Sequence, residues 1–419
     1  MPEKKLIGPF KQMVTMRNLP KAGPISDDQL EIITNGGIMI IGETIDRILT
    51  KDEFEKEVSH AKFHGSGTIF HKITENAVAL PGLIDCHTHM CYAGTRAEDY
   101  ARRLSGETYL QIAKAGGGML DTVRKTRNAT PKELFDSLFK RGLTHLHRGI
   151  TTCEVKSGYG LTVEAELKML EVINQAKHSR ALLPDFIPTC LAAHTCPPEF
   201  SDPEVYLQEI MNELLPVVKE KELAKRVDIF IEESAFSPEI SKKYLNYAKE
   251  LGFQVVIHGD QFSIGGSDVA AEVGALTVEH LEVTNEKQLQ KLKEANVIAV
   301  ALPGASLGLG MDFAPARKML DIGLCVAISS DWNPGSAPMG ELLTSAALLG
   351  AYQKLTIAET LAGITVRSAA ALDLDDRGIL APGKIADFIA FKCDKYQEIV
   401  YNQGALDPFL VYHKGKQIV

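Results

Sequence analysis

The sequence predicts an α/β protein: a (β/α)8 TIM-like barrel with a small discontinuous β-sandwich domain built from both ends of the chain. Between residues 79 and 371, short apolar runs alternate with longer segments of helical periodicity. Histidine and acidic residues follow the ends of these runs, where the active site of such a barrel lies. Both flanks, residues 1–78 and 372–419, are short and rich in strand and turn signals.

The first flank carries a compact strand signal between glycines at residues 36–42, and strand-like alternation continues through residues 43–49. Neither flank alone holds enough apolar sequence for a core. We therefore expect residues 1–78 and 372–419 to form one composite β-domain. The segment at residues 378–391 has the pattern of a turn followed by a strand that returns to this domain.

Eight apolar runs are predicted to be the barrel strands, and helical segments separate them. The predicted strands span residues 79–84, 149–155, 186–192, 227–231, 254–257, 276–278, 297–302 and 324–329. The predicted helices include residues 131–147, 162–178, 203–221, 238–251 and 286–295. The structural alternative is a doubly wound open sheet. The barrel is the simpler interpretation because no G-x-G-x-x-G fingerprint follows any of these strands.

Composition narrows the classes of function. A net charge of -9 argues against a general nucleic-acid or membrane-surface role, and it means that an anionic substrate needs a locally placed cation. The seven cysteines form no C-x-x-C pair, which favours reduced thiols over a disulfide framework. The sequence shows no secretory signal and no apolar run near the roughly 20 residues of a membrane span. A cytoplasmic protein is predicted.

Residues 81–89 (PGLIDCHTH) end a predicted strand with two histidines that are one residue apart. Residues i and i+2 of a strand point to the same side, so His87 and His89 can face one spot. Two converging imidazoles make half of a site for a divalent metal, and two unconnected histidines are the alternative.

Polar residues after the other predicted strands are expected to meet at the same end of the barrel. With the first pair, they are His87, His89, Tyr159, His194, Glu232, Glu233, His258, His280 and Asp331. Residues 79–371 are therefore predicted to form a metal-dependent catalytic domain.

Zn²⁺ suits a set of three histidine nitrogens and one carboxylate that leaves one position for water. The predicted ligands are His87, His89, His258 and Asp331, and Fe or Mn are alternative ions. Asp331 can also accept a proton. His280 and His194 are predicted catalytic residues outside the ligand set that donate hydrogen bonds to an oxyanion. The alternative for each of these two is a hydrogen-bonded core histidine.

Residues 81–89, His258, His280 and Asp331 resemble the amidohydrolase superfamily of metal-dependent hydrolases. Further segments narrow the resemblance to a branch that acts on a small anionic imidazolone: residues 93–96 (AGTR), 114–118 (KAGGG), 154–161 (EVKSGYGL), 302–305 (LPGA), 314–319 (APARKM) and 331–336 (DWNPGS). The likeness covers about residues 79–370 and extends to the closing segment at 378–387.

The resemblance implies hydrolysis of the ring C–N amide bond of 4-imidazolone-5-propanoate to N-formimidoyl-L-glutamate, a step of histidine degradation. It implies one metal ion per chain, zinc in preference to iron, held by His87, His89, His258 and Asp331. Arg96 would grip the propionate carboxylate. The other implied substrate-binding residues are Tyr109, Tyr159, His194, Gln261, Asn333, Gly335 and Ser336. A homodimer is also expected.

Several alternatives stay open at this point. Glu232 and Glu233 lie where binuclear relatives keep a bridging lysine carbamate or, less often, a carboxylate, and Lys156 lies just beyond the second predicted strand. A binuclear site that uses a glutamate is therefore one of these alternatives. An aminohydrolase of the same superfamily is another alternative, but Arg96 and Tyr159 favour an enzyme with an anionic substrate. A non-catalytic scaffold is the last alternative, and the complete set of metal ligands disfavours it. Gln261 carries an amide and cannot act as a general base. Residues 116–118, three glycines, are predicted to form a turn with positive φ and not a phosphate loop.

Overall fold

The computed structural model describes residues 3–64, 67–108, 111–112, 115–179 and 181–419. The strands are β1 (Lys4–Val14), β2 (Ile32–Ile41), β3 (Thr44–Leu49), β4 (Thr68–Lys72), β5 (Ala77–Pro81), β6 (Leu83–Asp85), β7 (Ile150–Lys156), β8 (Asp185–Ala193), β9 (Arg226–Ile231), β10 (Gln254–Gly259), β11 (Thr277–His280), β12 (Ile298–Ala301), β13 (Val326–Ile328), β14 (Phe388–Lys392), β15 (Leu410–His413) and β16 (Lys416–Gln417).

The helices in the described part of the chain are Lys51–His64, Ala97–Leu104, Met119–Asn128, Pro131–His147, Val163–Lys177, Pro203–Glu209, Leu215–Glu220, Pro238–Glu250, Gly266–Val273, Glu286–Glu294, Pro303–Leu309, Ala316–Asp321, Leu342–Gln353, Ile357–Gly363, Val366–Ala371 and Gln397–Tyr401. A 3-10 turn spans Asp27–Gln29, and a π-helical segment, Ile210–Leu214, joins two of the helices. None of the described helices is long and apolar enough to cross a lipid bilayer.

Strands β6 to β13 form one parallel sheet in chain order, and the predicted barrel is confirmed. The first and last strands approach each other beyond their ends, where Thr88 forms a bridge with Trp332 and the His89 backbone N–H donates to the Trp332 carbonyl at 2.9 Å. Every residue of β7 is buried, as expected for a strand covered on both faces. This closure brings the ends of β6 and β13 together at the mouth of the barrel.

Helix Pro131–His147 shows why several predicted helices have the expected bounds. The Thr130 side chain accepts a hydrogen bond from the Glu133 backbone N–H, and Pro131 occupies the first helical position. Leu134 and Leu138 of its apolar face are buried against the barrel. Capping and periodicity therefore agree in this helix.

The ends of the chain share a second, mixed sheet with the strand order β16-β15-β14-β5-β1-β2-β3, and β4 pairs with β1. Strand β14 runs antiparallel to β5, which joins the C-terminal strands to the N-terminal ones. Phe10, Phe388 and Tyr412 pack in its core, where the Phe388 and Tyr412 rings stack with centroids 4.5 Å apart. The predicted small β-domain from both termini is confirmed, and hydrogen bonding connects it into one sheet.

The single strand predicted at residues 79–84 is wrong, because the chain changes sheets there. Strand β5 belongs to the terminal sheet and β6 to the barrel, with Gly82 between them. A Cβ at Gly82 would lie 2.4 Å from Thr151 Oγ1, so only glycine fits this crossing. The domain limits at residues 78/79 and 371/372 stay a prediction, and we propose to move the first of them to Gly82. Helix Lys51–His64 is a feature that the sequence patterns did not predict.

Candidate metal centre and active site

Four side chains from three barrel strands converge at the mouth. His89 Nε2 lies 3.1 Å from His87 Nε2 and 3.2 Å from His258 Nε2. Asp331 Oδ1 lies 3.3 Å from His87 Nε2 and 3.4 Å from His89 Nε2. Atoms that bind one zinc ion at about 2.0–2.1 Å lie roughly 3–3.5 Å from one another, so the spacing fits a shared ion.

The protonation states of these groups also fit a metal. Burial lowers the pKa of His258 to about 4, although Asp228 opposes the shift, and it lowers the pKa of His87 and His89 well below the usual range. Neutral imidazoles are the form that binds metal ions. In the part of the chain that the structure describes, Asp331 Oδ1 receives no hydrogen bond, whereas Oδ2 accepts one from Asn333 Nδ2 at 2.9 Å. That oxygen is left for an ion.

Buried carboxylates stand behind two of the histidines. His258 Nδ1 lies 3.0 Å from Asp228 Oδ2, and His87 Nδ1 contacts Glu279 Oε2. Such partners fix the tautomer and the orientation of a ligating imidazole. The sequence analysis missed both acids. The available signal was an acidic residue inside each apolar strand, where it requires a partner.

Lys156, the last residue of β7, lies in the same buried layer. Its Nζ is 2.8 Å from both Glu154 and Asp228 and 3.1 Å from Glu279. Burial opposes the charged form, but the three carboxylates outweigh it and raise the pKa of Lys156. These three acidic neighbours favour the ammonium form of Lys156 over the neutral amine that a bridging carbamate requires.

Replacing Lys156 by methionine should destabilise the protein by about 3–5 kcal/mol, because it leaves buried carboxylates without their counter-ion. Thermal and urea unfolding measure this loss. The matched control is Lys132→Met, which breaks an exposed pair with Asp136 and should change stability by less than about 1 kcal/mol. Equal unfolding midpoints for the two variants would show that the buried cluster needs no cation.

A cavity of about 760 Å³ opens above the four converging side chains. It is lined by the predicted substrate-binding residues Arg96, Tyr159, His194, Gln261, Asn333, Gly335 and Ser336. Tyr109, the remaining member of that set, lies outside the described residues. His280 also lines the cavity, and Phe230 and Met311 add apolar surface to it.

His194 and His280 differ in their protonation. His194 Nδ1 lies 3.0 Å from the Gly158 carbonyl oxygen, which can only accept, so Nδ1 carries the proton. Burial lowers the pKa of His194 to about 3, and its Nε2 is then an acceptor. This tautomer disfavours the predicted hydrogen-bond donation from Nε2 of His194 to an oxyanion, and that role of His194 stays a prediction.

The surroundings of His280 favour its protonated form. Its Nδ1 lies 3.5 Å from Glu282 Oε1. Burial opposes the charged ring, but the carboxylates of Glu282 and Asp331 outweigh it and raise the pKa of His280. Its backbone has a φ of 81°, a left-handed conformation that is costly for histidine and is found at functional sites. No local sequence pattern around His280 predicts that conformation.

The loop after β13 is organised by Asn333. Its Oδ1 accepts hydrogen bonds from the backbone N–H groups of Gly335 at 2.7 Å and Ser336 at 2.8 Å, while its Nδ2 donates to Asp331. A Cβ at Gly335 would lie 2.3 Å from Arg96 Nη1. Glycine at this position therefore lets the arginine lie against the loop.

The glutamates that could have bridged a second ion are placed elsewhere. Glu232 Oε1 accepts hydrogen bonds at 2.9 Å from the backbone N–H groups of Gln261 and Phe262, and Glu233 is exposed. The Glu232 carboxylate thus shapes the loop after β10. This arrangement argues against the binuclear alternative with a bridging glutamate.

A parallel barrel with converging histidines and an aspartate at the carboxyl ends of its strands defines a hydrolase of the amidohydrolase class. A sequence profile of the amidohydrolase family matches residues 78–418, and the chain belongs to that family. The fold is shared with atrazine chlorohydrolase from Arthrobacter aurescens, solved with zinc, at a TM-score of 0.66 and 16% identity over 99% of this chain and 95% of that one. Family membership and the cluster described above make this a metal-binding site.

Within the family, several relatives that match nearly the whole chain are imidazolonepropionases. The imidazolonepropionase of Fusobacterium nucleatum is 37% identical over 97% of each chain. That of Alkaliphilus metalliredigens is 38% identical over 99% of this chain and 97% of its own. The resemblance predicted from the sequence is confirmed.

Proposed function

We propose that the protein hydrolyses the ring C–N amide bond of 4-imidazolone-5-propanoate, giving N-formimidoyl-L-glutamate in histidine degradation. The observation that carries this proposal is one cavity that holds both a metal-ligand cluster and the guanidinium of Arg96. A cyclic amide with a carboxylate side chain needs both features. The names of the relatives support the same substrate.

We assign the metal ligands to His87, His89, His258 and Asp331, and we propose a single zinc ion, with iron as the alternative. When bound, such an ion acts as a Lewis acid, polarising a carbonyl oxygen and lowering the pKa of water towards neutrality. A single ion is supported because the side chains that could bridge a second ion have other partners. Lys156 pairs with three acidic side chains, and Glu232 accepts hydrogen bonds from the loop after β10.

The side chains around the ion divide the remaining work. Arg96 holds the propionate carboxylate, and His194 Nε2 accepts a hydrogen bond from a ring N–H. Asp331 takes a proton from the attacking water. His280, whose pKa is raised, gives a proton to the departing ring nitrogen. Gln261 can orient the ring by hydrogen bonds but cannot exchange protons.

Replacing Arg96 by methionine should lower kcat/KM by roughly 3 kcal/mol, about a hundredfold, because the substrate carboxylate loses its partner. An ultraviolet assay of the imidazolone chromophore measures the rate. The control is Arg102→Met, which removes the same charge from the helix that follows Arg96, at an arginine paired with Glu107. Parental kinetics in the Arg96 variant would favour the aminohydrolase alternative.

Two further assignments belong to this proposal. The seven cysteines are free thiols in the structure, which supports a reducing compartment, and we assign the enzyme to the cytoplasm. The homodimer stays a prediction, which the molar mass in solution would test.

A further inference from the structure

The glycine run at residues 116–118 and the helix that follows Arg96 meet at one carboxylate. Asp99 Oδ2 accepts a hydrogen bond from Arg96 Nε at 3.1 Å and another from the Gly118 backbone N–H at 2.8 Å. The Arg96 and Asp99 side chains are both largely buried, at 17% and 15% exposure. Asp99 thus connects Arg96, which lines the cavity, to a turn that contains none of the predicted metal-binding or substrate-binding residues.

The glycines are required by this arrangement. A Cβ at Gly117 would lie 2.4 Å from Asp99 Oδ1 and 2.8 Å from Ile112 Cγ2. Gly118 has a φ of 76° and Gly116 a φ of 87°, and glycine adopts such values without strain. The predicted positive φ is confirmed for these two positions. The run forms a socket for the Asp99 carboxylate.

Asp99 pairs with one edge of the Arg96 guanidinium. A guanidinium can pair with a carboxylate through its Nε side or through its two terminal nitrogens. Asp99 occupies the Nε side, and Gly335 lies against Nη1 without a Cβ. The two terminal nitrogens are therefore the pair left for a second carboxylate.

The charge of Asp99 makes this arrangement informative. A carboxylate beside Arg96 repels an anionic substrate, so on charge alone its removal should strengthen binding. On geometry its removal should weaken binding, because the freed guanidinium loses the orientation that a two-point pair needs. The two effects have opposite signs.

We infer that Asp99 is a positioning residue for substrate recognition: held in the socket of residues 116–118, it fixes Arg96 so that the terminal nitrogens meet the substrate carboxylate end-on. The inference rests on the proposed function, because it takes the propionate as the ligand of Arg96. It also explains the glycine motif, which the mechanism otherwise leaves without a role.

Three variants test it in the metal-loaded enzyme, with 4-imidazolone-5-propanoate and with the neutral primary amide of its side chain. Asp99→Ala removes both hydrogen bonds, and Gly117→Ala displaces the carboxylate while Asp99 stays in the chain. Asp99→Asn retains one oxygen that can accept both bonds. Glu107→Ala is the matched control, since it breaks a carboxylate–arginine pair next to the same helix but away from the cavity.

We expect Asp99→Ala and Gly117→Ala to raise KM for the propionate about 10- to 100-fold with kcat little changed, as loss of uniform binding does. KM for the neutral amide should move much less, so discrimination between the two substrates falls. Asp99→Asn should restore that discrimination, and Glu107→Ala should not affect it.

An unchanged or lower KM for the propionate in Asp99→Ala would overturn the inference, and so would equal losses on both substrates. The proposed function fails separately, if the parent enzyme does not turn over the propionate or if Arg96→Met does not alter discrimination.

Discussion

Replacing Asp331 by asparagine is expected to remove the bound metal and the activity together. Asp331 Oδ1 lies 3.3 Å from His87 Nε2 and 3.4 Å from His89 Nε2. The other three proposed ligand atoms are histidine nitrogens, so this carboxylate supplies the one anionic oxygen of the set. An asparagine amide oxygen is neutral and binds a divalent ion weakly. The same change removes the group that accepts a proton from water. Metal analysis of the purified variant beside its steady-state rate tests both losses.

The matched comparison is Asp228→Asn, which weakens the support of His258 without touching the ligand atoms. Loss of such an outer partner costs about 10- to 100-fold in metal affinity or activity. Asp331→Asn should exceed that loss and should not recover when excess zinc is added. An Asp331→Asn enzyme that keeps a full equivalent of metal would contradict the assigned ligand set.

Local signals allowed much of this architecture to be predicted. Helix Pro131–His147 follows from a cap, a proline and a periodic apolar face that all agree. His87 and His89 could be placed because the period of a strand alone brings them to one side. His258 and Asp331 could be placed because a barrel gathers the ends of its strands at one mouth.

The rest depends on contacts between residues that are distant in the chain. The acids behind His87 and His258 lie in strands whose apolar pattern hides them, and only the folded barrel shows what they face. The change of sheets at Gly82 cannot be predicted from the sequence pattern, because β5 and β6 together form one apolar run. The tautomer of His194 depends on a carbonyl 36 residues away. Such features arise only when the chain is folded.

His280→Asn should retain the metal while kcat falls by roughly 10²- to 10⁴-fold, the usual range for loss of a general acid or base. The His280 and His258 ring centroids are 5.5 Å apart, and His280 is not among the converging ligand atoms, so the ion should stay. Asparagine is the appropriate replacement because it tolerates the φ of 81° at this position better than most residues. The raised pKa of His280 supports the role of proton donor to the departing ring nitrogen.

Gln261→Glu separates proton transfer from general disturbance of the cavity. It adds an ionisable group on the same cavity wall, yet the proposed proton route does not pass through it, so the loss should stay within about tenfold. Single-turnover rates of both variants report the chemical step separately from substrate binding. Their metal content shows whether the ion has been retained. Full metal with a near-parental kcat in His280→Asn would show that this histidine only supports the fold. The proton would then have to reach the ring nitrogen from Asp331, the other side chain to which the proposed mechanism assigns proton transfer.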